Sequence, residues 1–406
     1  MKVAFVGNQD NNAYRCCKFL REAGLDAHLY MIRQERGPRS FPEFVDRALA
    51  GHYPDWIHQY DDKGRISFLL PSRLARVIED EYDVVITSGA TGLLAARHFR
   101  RLPVVHLTLG SEVNDFPMRL FSLRSGGLHW RVAAWLMRRG LRHAARIITH
   151  GFWPEMRVLR RLGLLDKTFV WGLPEDTGAN RKRVGTELLE ELNRKYARYD
   201  RVFIWLARVN FHDPRDPEYK APQVFLGALE RLALGEKRNI KAIVGEYGKD
   251  IAAFKKMAAA KGLEPCIEYV PHMEFWKVLT YFSMANGVVV DVPDMEHGHI
   301  LGGLAREGLS VGSAIISAWD DGLVGLCYGD GCPIIKAWDV DSCYQAMKRL
   351  AEMDSDEFRG LRQRSAEWAD AHLHYTSRMN ELIDLLRRTI YCESFRRGRR
   401  RCRKPA

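Results

Sequence analysis

Short apolar runs alternate along the chain with segments whose apolar residues recur every three to four positions. The run KVAFVG at 2–7 predicts a buried strand. Residues 11–24 carry helical spacing and close on Gly24, a residue suited to a left-handed C-cap. Residues 25–31 return to strand character. The same rhythm predicts helix at 77–82, strand at 83–87 (DVVIT), helix at 92–99 and strand at 103–107 (PVVHL). It then predicts strand at 146–149 (RIIT), a helix ending near Gly163, and strand at 169–171. Strands that alternate with helices belong to a parallel sheet covered on both faces.

The stretch LPEDTGANRKR at 173–183 carries neither period and reads as turn. After a helix at 187–196 the rhythm restarts with strands at 201–206 (RVFIWL), 241–244, 266–270, 287–290 and 314–317. The expected organisation is therefore a first domain at 1–172, a linker at 173–186 and a second domain at 187–374. Residues 375–390 predict a final helix that packs back on the first domain, followed by a disordered basic tail at 391–406. The fold class is α/β, with two Rossmann-like parallel-sheet domains. Such domains bind ligands at the carboxyl ends of their strands, and the cleft between two of them is the expected site.

Composition narrows the function. Of the 406 residues 46% are hydrophobic and 28% charged, which excludes disorder of the whole chain. No apolar run approaches the ~18 residues of a membrane span. The apolar stretch after Lys2 is too short for a secretory leader, so a cytoplasmic location is expected. The eight cysteines are scattered without a Cys-x-x-Cys pair, unlike a disulfide scaffold or a zinc ribbon. The net charge of +11 is uneven: residues 119–161 hold +9, residues 391–406 hold +6, and the remainder sums to −4. Two basic zones on a mildly acidic protein suit a phosphate-rich partner. In WRVAAWLMRRGLRHAARI, arginines and apolar residues including Trp130 and Trp135 alternate at helical spacing. This segment is either a helix lying on an anionic membrane or an ordinary amphipathic helix on the sheet. The tail is a second electrostatic anchor or a solvated end. No helix-turn-helix or RNA-recognition pattern accompanies it, which disfavours nucleic acid.

The second half orders its chemistry along the chain. Arg208 follows the strand RVFIWLA, Lys220 opens a helix, and Gly245 ends a strand. Then come DVPDMEHGHILGGLAREGLSVGSAII at 291–316, with Gly302 and Gly303 ahead of a helix that contains Glu307. This order resembles the nucleotide-sugar half of family 4 retaining glycosyltransferases, which have the GT-B fold. EGLSVGSAII at 307–316 is similar to the second half of that family's Glu-x7-Glu motif, and Ala207-Arg208 to its Gly-Arg pair. The resemblance implies transfer of a sugar with retention from a nucleoside-diphosphate-sugar, with no cofactor and no metal. Arg208 and Lys220 would neutralise the diphosphate as the glycosidic bond breaks. The amides of Gly302 and Gly303 would cradle a phosphate, and Glu307 would hold the ribose hydroxyls. Two departures stand out. VNFHDPRDPEY lengthens the Arg208–Lys220 spacing, and His299 stands where the first glutamate is expected, with Glu296 three residues earlier. Either could contact the sugar.

In the first half the loop GNQDNN is not a dinucleotide fingerprint. Asn11, Asn12 and Tyr14 are acceptor-side or cleft candidates, or a polar turn that caps the next helix. Gly110-Ser111-Glu112 resembles the family's His-Gly-x-Asp stretch, with Glu112 at the aspartate. His106 falls inside a strand, and His150 follows one; both also read as structural. The implied acceptor is a glycan or lipid-linked molecule of cell-envelope or surface polysaccharide biosynthesis. The membrane partner would be the inner face of the plasma membrane. Two other readings stay open: a GT-B nucleotide-sugar epimerase, and a non-catalytic GT-B adaptor for anionic membrane or nucleic acid.

Overall fold

The structure, a computed structural model, describes residues 1–32, 41–60, 72–114, 117–118, 128–213, 219–292 and 301–402. It divides into two compact units, Met1–Pro174 with Tyr375–Ala406, and Glu175–His374.

The first unit is built on seven strands: β1 Lys2–Val6, β2 Asp26–Ile32, β3 Ile57–Tyr60, β4 Val84–Ser88, β5 Val104–Leu107, β6 Arg146–Thr149 and β7 Thr168–Val170. Their order is β3-β2-β1-β4-β5-β6-β7, every pairing parallel. Alternate residues of β1 enter different cores. Val3 and Phe5 pack with Leu29, Ile86 and Trp171, while Ala4 and Val6 pack with Ile78, Val85 and Phe99. Burial on both faces is why these strands read as continuous apolar runs. The final helix, Tyr375–Cys402, inserts Met379, Leu382, Ile383 and Leu386 into the first of these cores.

The second unit has six strands: β8 Arg201–Trp205, β9 Ile240–Gly245, β10 Ile267–Val270, β11 Gly287–Val289, β12 Ile315–Ser317 and β13 Ile335–Lys336. Their order is β10-β9-β8-β11-β12-β13, again parallel throughout. This is the Rossmann order, and the chain reverses direction across the sheet between β8 and β11.

Two sequence expectations need correction. The segment read as turn at 173–183 contains a helix, Thr177–Lys182, capped by the Asp176 side chain accepting from the Ala179 amide at 2.8 Å. Six residues are too few to display a helical period, so the cap decides. The tail expected to be disordered continues the final helix as far as Cys402. Arginine is a good helix former, and no proline interrupts the run before Pro405.

Candidate functional site

The reversal between β8 and β11 places two loops side by side at the carboxyl ends of those strands, the usual ligand position in an open α/β sheet. The loop after β8 carries Arg208. It is knitted to the loop after β9: Val209 N–H donates to Tyr247 at 2.9 Å, and Asp250 N–H donates to Val209 at 3.0 Å. Gly248, at φ +125°, lies so close to the Val209 backbone that an added Cβ would fall 2.4 Å from its nitrogen. Only glycine fits there. Asn210 is buried; its side-chain oxygen accepts from Lys249 N–H at 2.8 Å, and its carbonyl accepts from Lys220 N–H at 3.0 Å. The insertion between Arg208 and Lys220 therefore does not separate them, because Asn210 ties the two ends together. Lys220 then sits directly before Ala221 and the helix Pro222–Glu230.

Asp291 stands at the end of β11, and its Oδ1 lies 2.9 Å from Lys220 Nζ. No role was expected for it from the sequence, although its place immediately after the strand was the available signal. Gly302 caps the helix Gly303–Ser310, and Glu307 lies half-buried one turn into that helix. Arg306 fixes the start of the helix from beneath. It is buried, pairs with buried Glu175 at 3.2 Å, and donates through Nη1 to the Leu301 carbonyl at 2.9 Å. A buried charge needs such a partner. Gly245 ends β9 as expected, but the Tyr247 ring lies over its α-carbon. Glu296 and His299 lie outside the described residues.

In the first unit the residues at strand ends behave differently. Gly7, at φ +88°, turns the chain out of β1. Asn11 is buried, accepts from Asn8 Nδ2 at 2.9 Å and donates to the Phe41 carbonyl at 2.8 Å. Tyr14 is buried against Trp56 and donates its hydroxyl to Asp46 at 3.1 Å. Asn12 donates to the Gln9 carbonyl at 3.5 Å. Asn12 thus bonds within its own loop, whereas Asn11 and Tyr14 tie the start of the next helix to the segment at 41–56. His106 is fully buried in β5, with Nδ1 3.0 Å from the Thr87 hydroxyl, and burial pushes its pKa down to about 3. His150 is held by Nδ1, 3.0 Å from the Trp171 carbonyl. A carbonyl only accepts, so Nδ1 carries the proton.

Glu112 is fully buried after β5. It accepts from the Leu109 amide through Oε1, while Oε2 has no hydrogen-bond partner among the described residues. Burial pushes its carboxyl up to about 7, and the charge of Glu155 adds to the shift. Glu155, which sequence reasoning passed over, is also buried and also pushed up to about 7 by burial. It accepts from Thr149 at 2.5 Å and Thr108 at 2.7 Å, contacts that favour its charged form. Two buried carboxyls thus lie in the segments that follow β5 and β6.

The arginine-rich helix Leu128–His143 presents Arg131, Val132, Trp135, Arg139 and Arg142 outward, with Trp135 48% exposed. Arg138 departs from the expectation of an outward arginine. It is buried and donates to the Pro117 carbonyl at 2.6 Å, because it falls on the face that meets the protein. The Trp130 side chain lies outside the described residues. Among the described residues, no helix is long and apolar enough to cross a membrane.

Two Rossmann-like parallel-sheet domains in one chain define the GT-B fold. The chain is similar to HepE of Anabaena, solved in complex with UDP, at TM-score 0.66 and 13% identity over 95% of this chain and 99% of that one. It is similar to sucrose-phosphate synthase from Thermosynechococcus elongatus at TM-score 0.65 and 12% identity, over 97% and 100% of the two chains. It is also similar to UDP-GlcNAc 2-epimerase from Neisseria meningitidis, bound to UDP-GlcNAc, at TM-score 0.55 and 13% identity over 95% and 99%. No protein-family model matches the chain, and no curated protein does.

Proposed function

We propose that this chain is a family 4-like glycosyltransferase that moves a sugar, with retention and without a metal, from a nucleoside-diphosphate-sugar to a glycan or lipid-linked acceptor. The observation that carries the reading is that Lys220 and the start of the helix Gly303–Ser310 meet around Asp291 at the reversal between β8 and β11, with Arg208 on the loop that follows β8. Cations and a helix N-terminus are what a leaving diphosphate needs, since its charge grows as the glycosidic bond breaks. They supply the positive charge that a divalent ion would otherwise bring. Glu307, one turn along, would take the ribose hydroxyls. HepE, a structural neighbour, binds UDP and UDP-glucose, which makes a uridine donor the first to try. The acceptor side falls to the first unit. The outward face of Leu128–His143 and the basic tail would hold the enzyme on the inner face of the plasma membrane, in cell-envelope or surface polysaccharide biosynthesis.

One observation favours a second reading. The Glu112–Glu155 pair provides acid–base groups near neutral pH, as a nucleotide-sugar epimerase requires, and such an epimerase is among the neighbours. A thermal-shift panel of UDP, GDP, ADP and their sugars tests the donor reading, because a ligand that binds only the native state raises stability as RT ln(1 + [L]/Kd). At 100 Kd the gain is about 2.7 kcal/mol. Incubation with the stabilising sugar nucleotide, with and without EDTA, then separates transfer from epimerisation by the product formed. A protein that no nucleoside diphosphate stabilises is not a transferase of this kind.

A further inference from the structure

Asp291 combines three observations. Its Oδ1 lies 2.9 Å from Lys220 Nζ, and both side chains are largely shielded, at 21% and 28% exposed. Its Oδ2 lies against Gly302, so close that a Cβ on that glycine would stand 2.9 Å away. Its backbone is left-handed, at φ +43°, and is held there by Ala318 N–H and the Ser317 hydroxyl, which both donate to its carbonyl. A left-handed conformation is unfavourable for a residue with a side chain, although aspartate tolerates it better than most. Ala221, beside Lys220, is left-handed as well, at φ +54°. Strained residues therefore flank both ends of one ion pair, and strain of this kind persists only where the surroundings enforce it.

The carboxylate thus lies between the ammonium of Lys220 and the N-terminus of the helix Gly303–Ser310. These are the two positive elements assigned above to the donor diphosphate, so the inference rests on that reading. A carboxylate and a diphosphate repel each other and cannot both be satisfied by one lysine. We infer that Asp291 is an internal counter-anion that competes with the donor diphosphate for Lys220 and the helix start. Donor binding is then an exchange in which the diphosphate takes Lys220 and the helix start from Asp291. Release of the nucleoside diphosphate product is the reverse exchange. The device keeps Lys220 paired between turnovers and prevents the product from being held too tightly.

Calorimetric titration of the full chain with UDP and, separately, with inorganic pyrophosphate tests this. Asp291→Asn retains the shape and tolerates the left-handed backbone. It should tighten both ligands about tenfold, an effect larger than an exposed surface pair would give. In Lys220→Ala/Asp291→Asn the gain over Lys220→Ala should vanish, because the carboxylate acts through the lysine it occupies. If UDP binds the wild type and Asp291→Asn equally, or binds the variant more weakly, the counter-anion role is overturned while the donor reading stands. A gain that persists without Lys220 also overturns it, since it then reflects overall charge. If pyrophosphate tightens as expected but no nucleotide binds, the counter-anion stands and the donor reading fails. Binding of neither ligand to either protein overturns both.

Discussion

The two units share a topology but carry opposite chemistry at their strand ends. In the second unit Lys220 pairs with Asp291 at the reversal between β8 and β11, and Arg208 lies on the loop after β8. In the first unit the loop after β1 is closed by Asn8, Asn11 and Tyr14, and the segments that follow β5 and β6 hold two buried carboxyls. One sheet thus offers positive charge to an anion, and the other holds protons. Strand order dictates where ligands can bind, but the loop residues dictate which ligand it is.

The sharpest way to break this contrast is to remove the cation. Lys220→Ala should lower sugar transfer by ~10² or more, by analogy with the loss of one preorganised donor to developing charge. Circular dichroism should show the fold retained, because Lys220 reaches Asn210 only through its backbone amide. A variant with near-normal turnover would take Lys220 out of the diphosphate site and leave the two units chemically alike.

The acid pair gives a smaller effect with a defined pH dependence. Glu112 and Glu155 titrate near 7 in the fold, above their ordinary value of 4.5. The native state therefore holds protons that the unfolded chain has lost. Their contribution is fully present below about pH 4.5, declines as pH rises, and is gone above about 7. Glu112→Gln removes one of the two charges. Its melting temperature should match the wild type at pH 5 and exceed it by a few degrees at pH 8, an effect on the order of 1–2 kcal/mol. A pH-independent difference would show that Glu112 does not titrate in this range.

Much of this was legible in the sequence because parallel strands buried on both faces leave unbroken apolar runs. KVAFV, VVITS, VVHL, RIIT and RVFIW all emerge as strands near the expected positions. Arg208 and Lys220 stood out because each follows or opens such an element. Asp291 and Glu155 did not, since each gains its meaning from a partner distant in sequence: Lys220 for one, Thr108 for the other. Helical spacing also could not tell Arg138 from Arg139, two adjacent arginines of which only the second faces outward. The helix Thr177–Lys182 was hidden by its shortness, not by its chemistry.

That distinction between arginines sharpens the smallest expected effect, membrane attachment. The outward face of Leu128–His143 carries Arg131, Arg139 and Arg142 around Trp135, with the Arg139 guanidinium 5.2 Å from the Trp135 ring. Each arginine close to an anionic surface contributes about 1 kcal/mol, and the attraction decays within a Debye length of about 8 Å at physiological salt. Sedimentation with anionic vesicles should therefore be strong at low salt, weaker at high salt, and absent with neutral lipid. Deletion of 396–406 should reduce it. Changing Arg131, Arg139 and Arg142 to glutamate as well should abolish it, whereas Arg138→Glu alone should destabilise the helix by breaking its bond to Pro117. Trp135→Ala should remove the portion of binding that salt does not screen. If the wild-type protein ignores anionic vesicles at low salt, this face is a solvated helix surface, and the acceptor is to be sought among soluble glycans.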